Sequence, residues 1–181
     1  MQSVESNLTV DAQCRELRRR ISLLLVFFVA GLVLSGLTAF PLSYELEALT
    51  HLMGVPKEAT PETYSDMARW LVYVRNGLRD TYARYPFVAY GTDWLAFAHL
   101  ILAILFLGVL RDPVRNIWVT HFGLIACALV LPLALICGPL RGIPFYWRLI
   151  DCSFGIIGFI PLWFVRKYTL KLEALQGASG D

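Results

Sequence analysis

The chain is expected to be an all-α membrane protein: four transmembrane helices, with an extracytoplasmic amphipathic helix between the first and second. Three features carry this expectation. Residues 21–40 form an apolar run without charge, entered straight from Arg18-Arg19-Arg20, and about 20 residues are what a helix needs to cross a hydrocarbon core of about 30 Å. Three more such runs follow. Of the 181 residues, 57% are hydrophobic and the mean hydropathy is +0.58. A soluble domain is roughly 45–50% apolar, and here the excess is gathered into blocks rather than spread at helical spacing. Lipid is therefore the solvent for most of the chain, and 1–181 is read as one polytopic domain.

The elements follow in order. Residues 1–20 are polar, and Thr9 is placed to cap a short helix holding Asp11 and Glu16. The run at 21–40 exceeds the roughly 7–15 residues of a signal-peptide core, so a retained first span is expected. The outer segment, 41–92, is not a plain loop. Thr60-Pro61-Glu62 reads as a helix start: a cap, proline at the first position, then an acid in the first turn. Met67, Trp70, Leu71, Val74, Leu78 and Tyr82 then recur at three- and four-residue steps, with Asp66, Arg69, Arg75, Arg79 and Asp80 on other faces. Such a helix would lie on the membrane surface or roof the bundle. A small cap that packs only on protein is an equal alternative.

The second span is 94–110, led by Gly91-Thr92-Asp93 as turn and cap and stopped by Arg111-Asp112-Pro113. The third is 117–137, bent by Pro132, which membrane helices tolerate when neighbours satisfy the freed carbonyl. The fourth is 147–165, with Pro161 in its last turns and Arg166-Lys167 at its end. Gly31, Ser35, Ser153, Gly155 and Gly158 thin the helices and predict close packing seams. Residues 176–181 are small and polar and read as a tail.

Orientation follows the cations near span ends. Arg15, Arg18, Arg19, Arg20, Arg111, Arg115, Arg166, Lys167 and Lys171 fall on one side, which predicts cytoplasmic N-terminus and C-terminal tail in a bacterial inner membrane. Net charge is only +2, with no basic stripe interleaved with aromatics, so nucleic acid is not an expected partner. Membrane lipids are, with other membrane-protein subunits as the alternative.

Ionisable groups within a bilayer are costly and become the default candidates for function. His99 lies five residues past Trp94, about 7–8 Å in from the outer edge, and Asp151 four past Trp147, about 6 Å in from the same side, at 1.5 Å per residue. The expectation is a polar pocket at that interface, floored by His99 and Asp151 as its catalytic residues. Arg84, Asp93, Arg141 and Arg148 would rim it as ligand-binding groups. An Asp–His pair can exchange protons near neutral pH, and arginines suit a phosphate or carboxylate head group. The structural alternative is that Arg148–Asp151 and Arg84–Asp93 are plain salt bridges and His99 bonds a neighbouring helix.

No cofactor is predicted. Haem needs two axial ligands at one depth, whereas His121 and His99 fall near opposite edges and His51 sits outside the first span. A quinone site is compatible with the interfacial His, Asp, Tyr and Trp residues, but no residue demands it. The four cysteines form no CxxC pair and no zinc spacing; Cys137 and Cys152 fall near one face and leave a disulfide open. A carboxylate dyad like that of lipoprotein-processing peptidases would rest on Asp93 and Asp151, whose flanking residues do not match that family. The functional expectation is binding of, or action on, an amphiphile (a lipid, isoprenoid or quinone head group). A non-catalytic accessory subunit is the alternative.

Overall fold

The computed structural model describes residues 2–178, with side chains for 10–177. All regular structure among them is helical. The helices are α1 (Gln2–Ala39), α2 (Leu42–Leu52), α3 (Asp66–Arg84), α4 (Ala89–Arg111), α5 (Ile117–Pro132), the single turn α6 (Gly138–Leu140) and α7 (Phe145–Ala178). Four stretches are long and apolar enough to cross a membrane: Val10–Ala39, Pro86–Arg111, Ile117–Leu140 and Phe145–Gly177. Phe27, Leu34, Ile104, Ile125, Leu133, Phe154 and Ile157 all present large apolar side chains outward. Patches of that extent are rare on proteins whose surface meets water, and they fit a surface bathed in acyl chains.

Two boundaries differ from the pattern in the sequence. The polar N-terminal stretch is not a separate capped helix, because α1 runs without interruption from Gln2 into the first span; the Thr9 side chain lies outside the described ones. At the other end α7 continues through Gln176 to Ala178, and residues 179–181 lie outside the described chain.

The chain divides into two compact units, Met1–Gly31 with Ala103–Asp181, and Leu32–Leu102. In the first, Ile21 and Leu25 of α1, Phe106 and Val109 of α4, Val119 of α5, and Leu162 and Val165 of α7 are almost fully enclosed. The Phe28 and Phe106 rings meet at 4.8 Å between centroids. Helices α5 and α7 run antiparallel, as their close approaches show: His121 meets Arg166, Gly123 meets Leu162, Cys127 meets Gly158, and Gly138 meets Arg148. Glycines make the seam. An added Cβ at Gly155 would stand 2.6 Å from the Cys127 carbonyl oxygen, and one at Gly158 2.9 Å from Cys127 Sγ. The predicted seam thus forms on α7, but Gly31 of α1 has open space around it. Cys137 and Cys152 are both free thiols.

Pro132 and Pro139 each lack the N–H that would serve the carbonyl four residues earlier. Between them, Leu133–Cys137 widen into a π turn, the single-turn form in which π geometry usually occurs inside α-helices. The chain then reverses through a left-handed glycine. Gly142, at φ +70°, lets its N–H reach the Pro139 carbonyl at 3.1 Å and the Ile143 N–H reach that of Gly138 at 3.0 Å. This pair of bonds is the Schellman stop, and Pro144 beyond it starts α7.

The second unit holds the segment between the first two spans. Here the structure adds a helix that hydropathy alone did not suggest, α2, ended by the same stop: Gly54 (φ +72°) donates to His51 O at 2.9 Å and Val55 to Thr50 O at 3.0 Å. The expected start at Thr60 gives only one 3-10 turn, Pro61–Thr63, in which the Thr60 and Thr63 hydroxyls pair at 3.0 Å. Tyr64 and Ser65 are extended, and α3 begins at Asp66. Its buried line is Leu71, Val72 and Arg75.

Arg75, which the sequence pattern sets off the apolar stripe of this helix, is only 3% exposed. Its Nη1 donates to Thr50 Oγ1 and to Pro56 O, each at 3.2 Å, and Nη2 donates to Lys57 O at 3.1 Å. Nε reaches Asn76 Oδ1 at 3.2 Å, and Asn76 Nδ2 donates to Ala59 O at 2.9 Å. Arg79 adds a bond to Lys57 O at 3.1 Å and an ion pair to Glu47 at 3.2 Å. A guanidinium buried among carbonyls satisfies the rule that buried polar groups find partners, and it clamps the connection 53–60 onto α3.

Candidate functional site

Arg148, Asp151 and Arg141 all lie where α6 turns into α7. Arg141 is the exposed residue that ends α6. Arg148 lies across Gly138, so close that a Cβ there would meet its Cδ at 2.5 Å. Its guanidinium carbon stands 5.2 Å from the Phe145 ring centroid, within cation–π range. Its Nε is buried and has no hydrogen-bond partner among the described residues. Asp151, three residues on and so on the same helix face, is half-buried and makes no ion pair within its unit.

His99, Arg84 and Asp93 belong to the other unit. His99 sits on α4, where its Nδ1 lies 2.8 Å from Leu95 O, one turn back on the same helix. Its Cβ lies 3.2 Å from the position a Cβ on Gly36 would take. Gly36 of α1 is therefore the small residue that lets α4 approach. Arg84 pairs with Asp80 at 3.0 Å, both well exposed, rather than with Asp93. Asp93 is half-buried in the first turns of α4, which begins at Ala89 rather than after the expected turn and cap at Gly91-Thr92-Asp93, and Thr92 Oγ1 donates to Ala89 O at 2.7 Å. An open depression of about 560 Å³ along α3, from Pro61 to Thr81, holds neither a cation nor a histidine.

The opposite end of the first unit carries a pair that depth reckoning did not join. Arg166 Nε donates to His121 Nε2 at 3.0 Å, tying α7 to α5. Arginine has only donors, so His121 Nε2 is the acceptor. Beside this pair Thr120 and Thr169 are fully enclosed, and neither hydroxyl has a hydrogen-bond partner among the described residues.

No known family, characterised protein or solved structure matches this chain. Among the described residues no group of three or more His, Cys, Asp or Glu is placed to hold a metal ion.

The two threonines give a simple check. Thr169→Val keeps the side-chain shape and removes a hydroxyl with nothing to bond, so stability should be unchanged or rise by up to about 1 kcal/mol. Resistance of the detergent-solubilised protein to heat reads this. A drop of more than about 1 kcal/mol would mean that the hydroxyl is bonded in solution.

Proposed function

We propose that this is a bacterial inner-membrane protein, with both termini in the cytoplasm, that binds the head group of an amphiphile at the extracytoplasmic end of α7. The observation that carries the reading is Arg148 Nε, a buried cationic donor with no hydrogen-bond partner among the described residues. Leaving such a donor unmade costs about 1–3 kcal/mol. A phosphate or carboxylate head group supplies the missing acceptor at the depth where membranes carry it. Asp151 one turn away offers an acceptor to a head-group hydroxyl. In this reading the segment 41–92 is extracytoplasmic and α3 is its surface helix.

The test is purification in mild detergent followed by mass spectrometry of the extracted lipid. Arg148→Gln should lower about tenfold, equivalent to about 1.4 kcal/mol, the one amphiphile species held at this site, with the yield of folded protein unchanged. Equal retention by the variant counts against the site. A protein that isolates only with partner subunits, and carries no amphiphile, would favour the accessory-subunit reading instead.

A further inference from the structure

The geometry points to a second, separate lipid site at the other end of the first unit: a groove on α7 that takes one acyl chain of an anionic phospholipid, with Arg166 binding its phosphate. The groove measures about 370 Å³ and is lined by Phe159, Ile160, Trp163 and Phe164. One wall is formed by the Phe159 and Trp163 rings, nearly parallel at 17° with centroids 6.0 Å apart. Phe159, Trp163 and Arg166 stand at i, i+4 and i+7, one stripe of a helix, so the charge lies about 10 Å along the axis from the first ring at 1.5 Å per residue. The Arg166 guanidinium carbon is 5.8 Å from the Trp163 ring centroid. An apolar trough therefore ends at a fixed cation, which is the outline of a phospholipid chain and its head group.

The Arg166 side chain is anchored at its Nε. The His121 ring accepts from Nε, which orients the guanidinium plane while its terminal amino groups make no hydrogen bond to a described residue. Two parallel N–H donors match two oxygens of a phosphate. The charge around it selects an anion: from Arg166 to Gly177 the helix carries Arg166, Lys167 and Lys171 against Glu173 alone. Trp163 in the groove wall places an amphipathic ring at the depth where head groups begin. Under the proposed topology this is the cytoplasmic leaflet, whose anionic lipids attract basic segments near span ends.

The experiment is native mass spectrometry of the detergent-solubilised full chain, titrated with phosphatidylglycerol, with phosphatidylcholine of the same chains, and with glycerol phosphate. The expected result is one phosphatidylglycerol adduct retained at least fivefold better than phosphatidylcholine, and not displaced by glycerol phosphate at equal concentration. Arg166→Gln should remove that preference. Ile160→Trp, which fills the groove without touching the charge, should lower occupancy of both lipids. Lys171→Gln should change it less than twofold, and Arg148→Gln should leave it intact, which separates this site from the one at the other end. His121→Gln guards against misfolding of Arg166→Gln, since it frees the guanidinium without deleting it and should weaken the adduct by less than the arginine variant does. Equal binding of the two phospholipids, or equal losses in Lys171→Gln and Arg166→Gln, would overturn the site in favour of diffuse surface charge. Displacement by glycerol phosphate would reassign it to a free phosphate.

Discussion

Arg75→Met should open the connection at 53–60 and weaken the second unit by about 3 kcal/mol. The substitution keeps a long apolar stem in the buried position but removes donors to Thr50 Oγ1, Pro56 O, Lys57 O and Asn76 Oδ1. The Pro56 carbonyl would lose its side-chain donor, and the Lys57 carbonyl would keep only Arg79. Part of the loss is offset because the variant no longer buries a charge. Trypsin reads the effect directly, because the Lys57 carbonyl is held by both Arg75 and Arg79. Opening that is easier by about 3 kcal/mol raises the cleavable population roughly a hundredfold when opening is fast relative to cleavage. Arg69→Met, on the exposed side of α3, should leave cleavage after Lys57 unchanged. Similar rates in wild type and Arg75→Met would show that the clamp contributes nothing.

Gly155→Ala should lower the stability of the first unit by about 2 kcal/mol, the middle of the range for overpacking a filled interior. The new methyl would stand 2.6 Å from the Cys127 carbonyl oxygen and 3.1 Å from Val130 Cβ. A carbonyl oxygen within a helix cannot rotate aside, so α5 and α7 must separate along their antiparallel contact. Gly91→Ala in α4 is the control with opposite sign. Nothing lies within 4 Å of its added Cβ, and alanine is better than glycine in a helix by roughly 0.8–1.0 kcal/mol. Unfolding in a denaturing detergent series should move in opposite directions for the two variants. A neutral Gly155→Ala would mean that the helices already sit further apart than described.

The spans were legible because hydrophobic length is a one-dimensional property that any window can read. Residue pairing was not. Arg75 looks like any solvated cation on α3, because its partners are backbone carbonyls of a connection whose path the sequence does not display. Helix α2 escaped notice because eleven residues with two acids resemble a polar loop until Gly54 and Val55 show how they end it. Gly31 and Gly36 are equally small, yet only the second faces a neighbour, and helical phase between two spans is not written in either one. At the candidate site the sequence brought Arg148 and Asp151 together by spacing along one helix. It could not reveal that Arg148 leaves a donor unpaired, and it separated His121 from any partner because Arg166 was counted only as an end-of-span charge.

The π turn at Leu133–Cys137 works as a one-residue insertion in an otherwise regular coil. Each α-helical residue advances the azimuth by about 100°, so excising any single residue there would swing Gly138–Leu140 round by that angle while α7 stays packed on α5. The bare glycine surface on which Arg148 rests would then be replaced by a proline ring or a leucine. The tally of residues in that short stretch, more than their identity, aims the polar end of the protein.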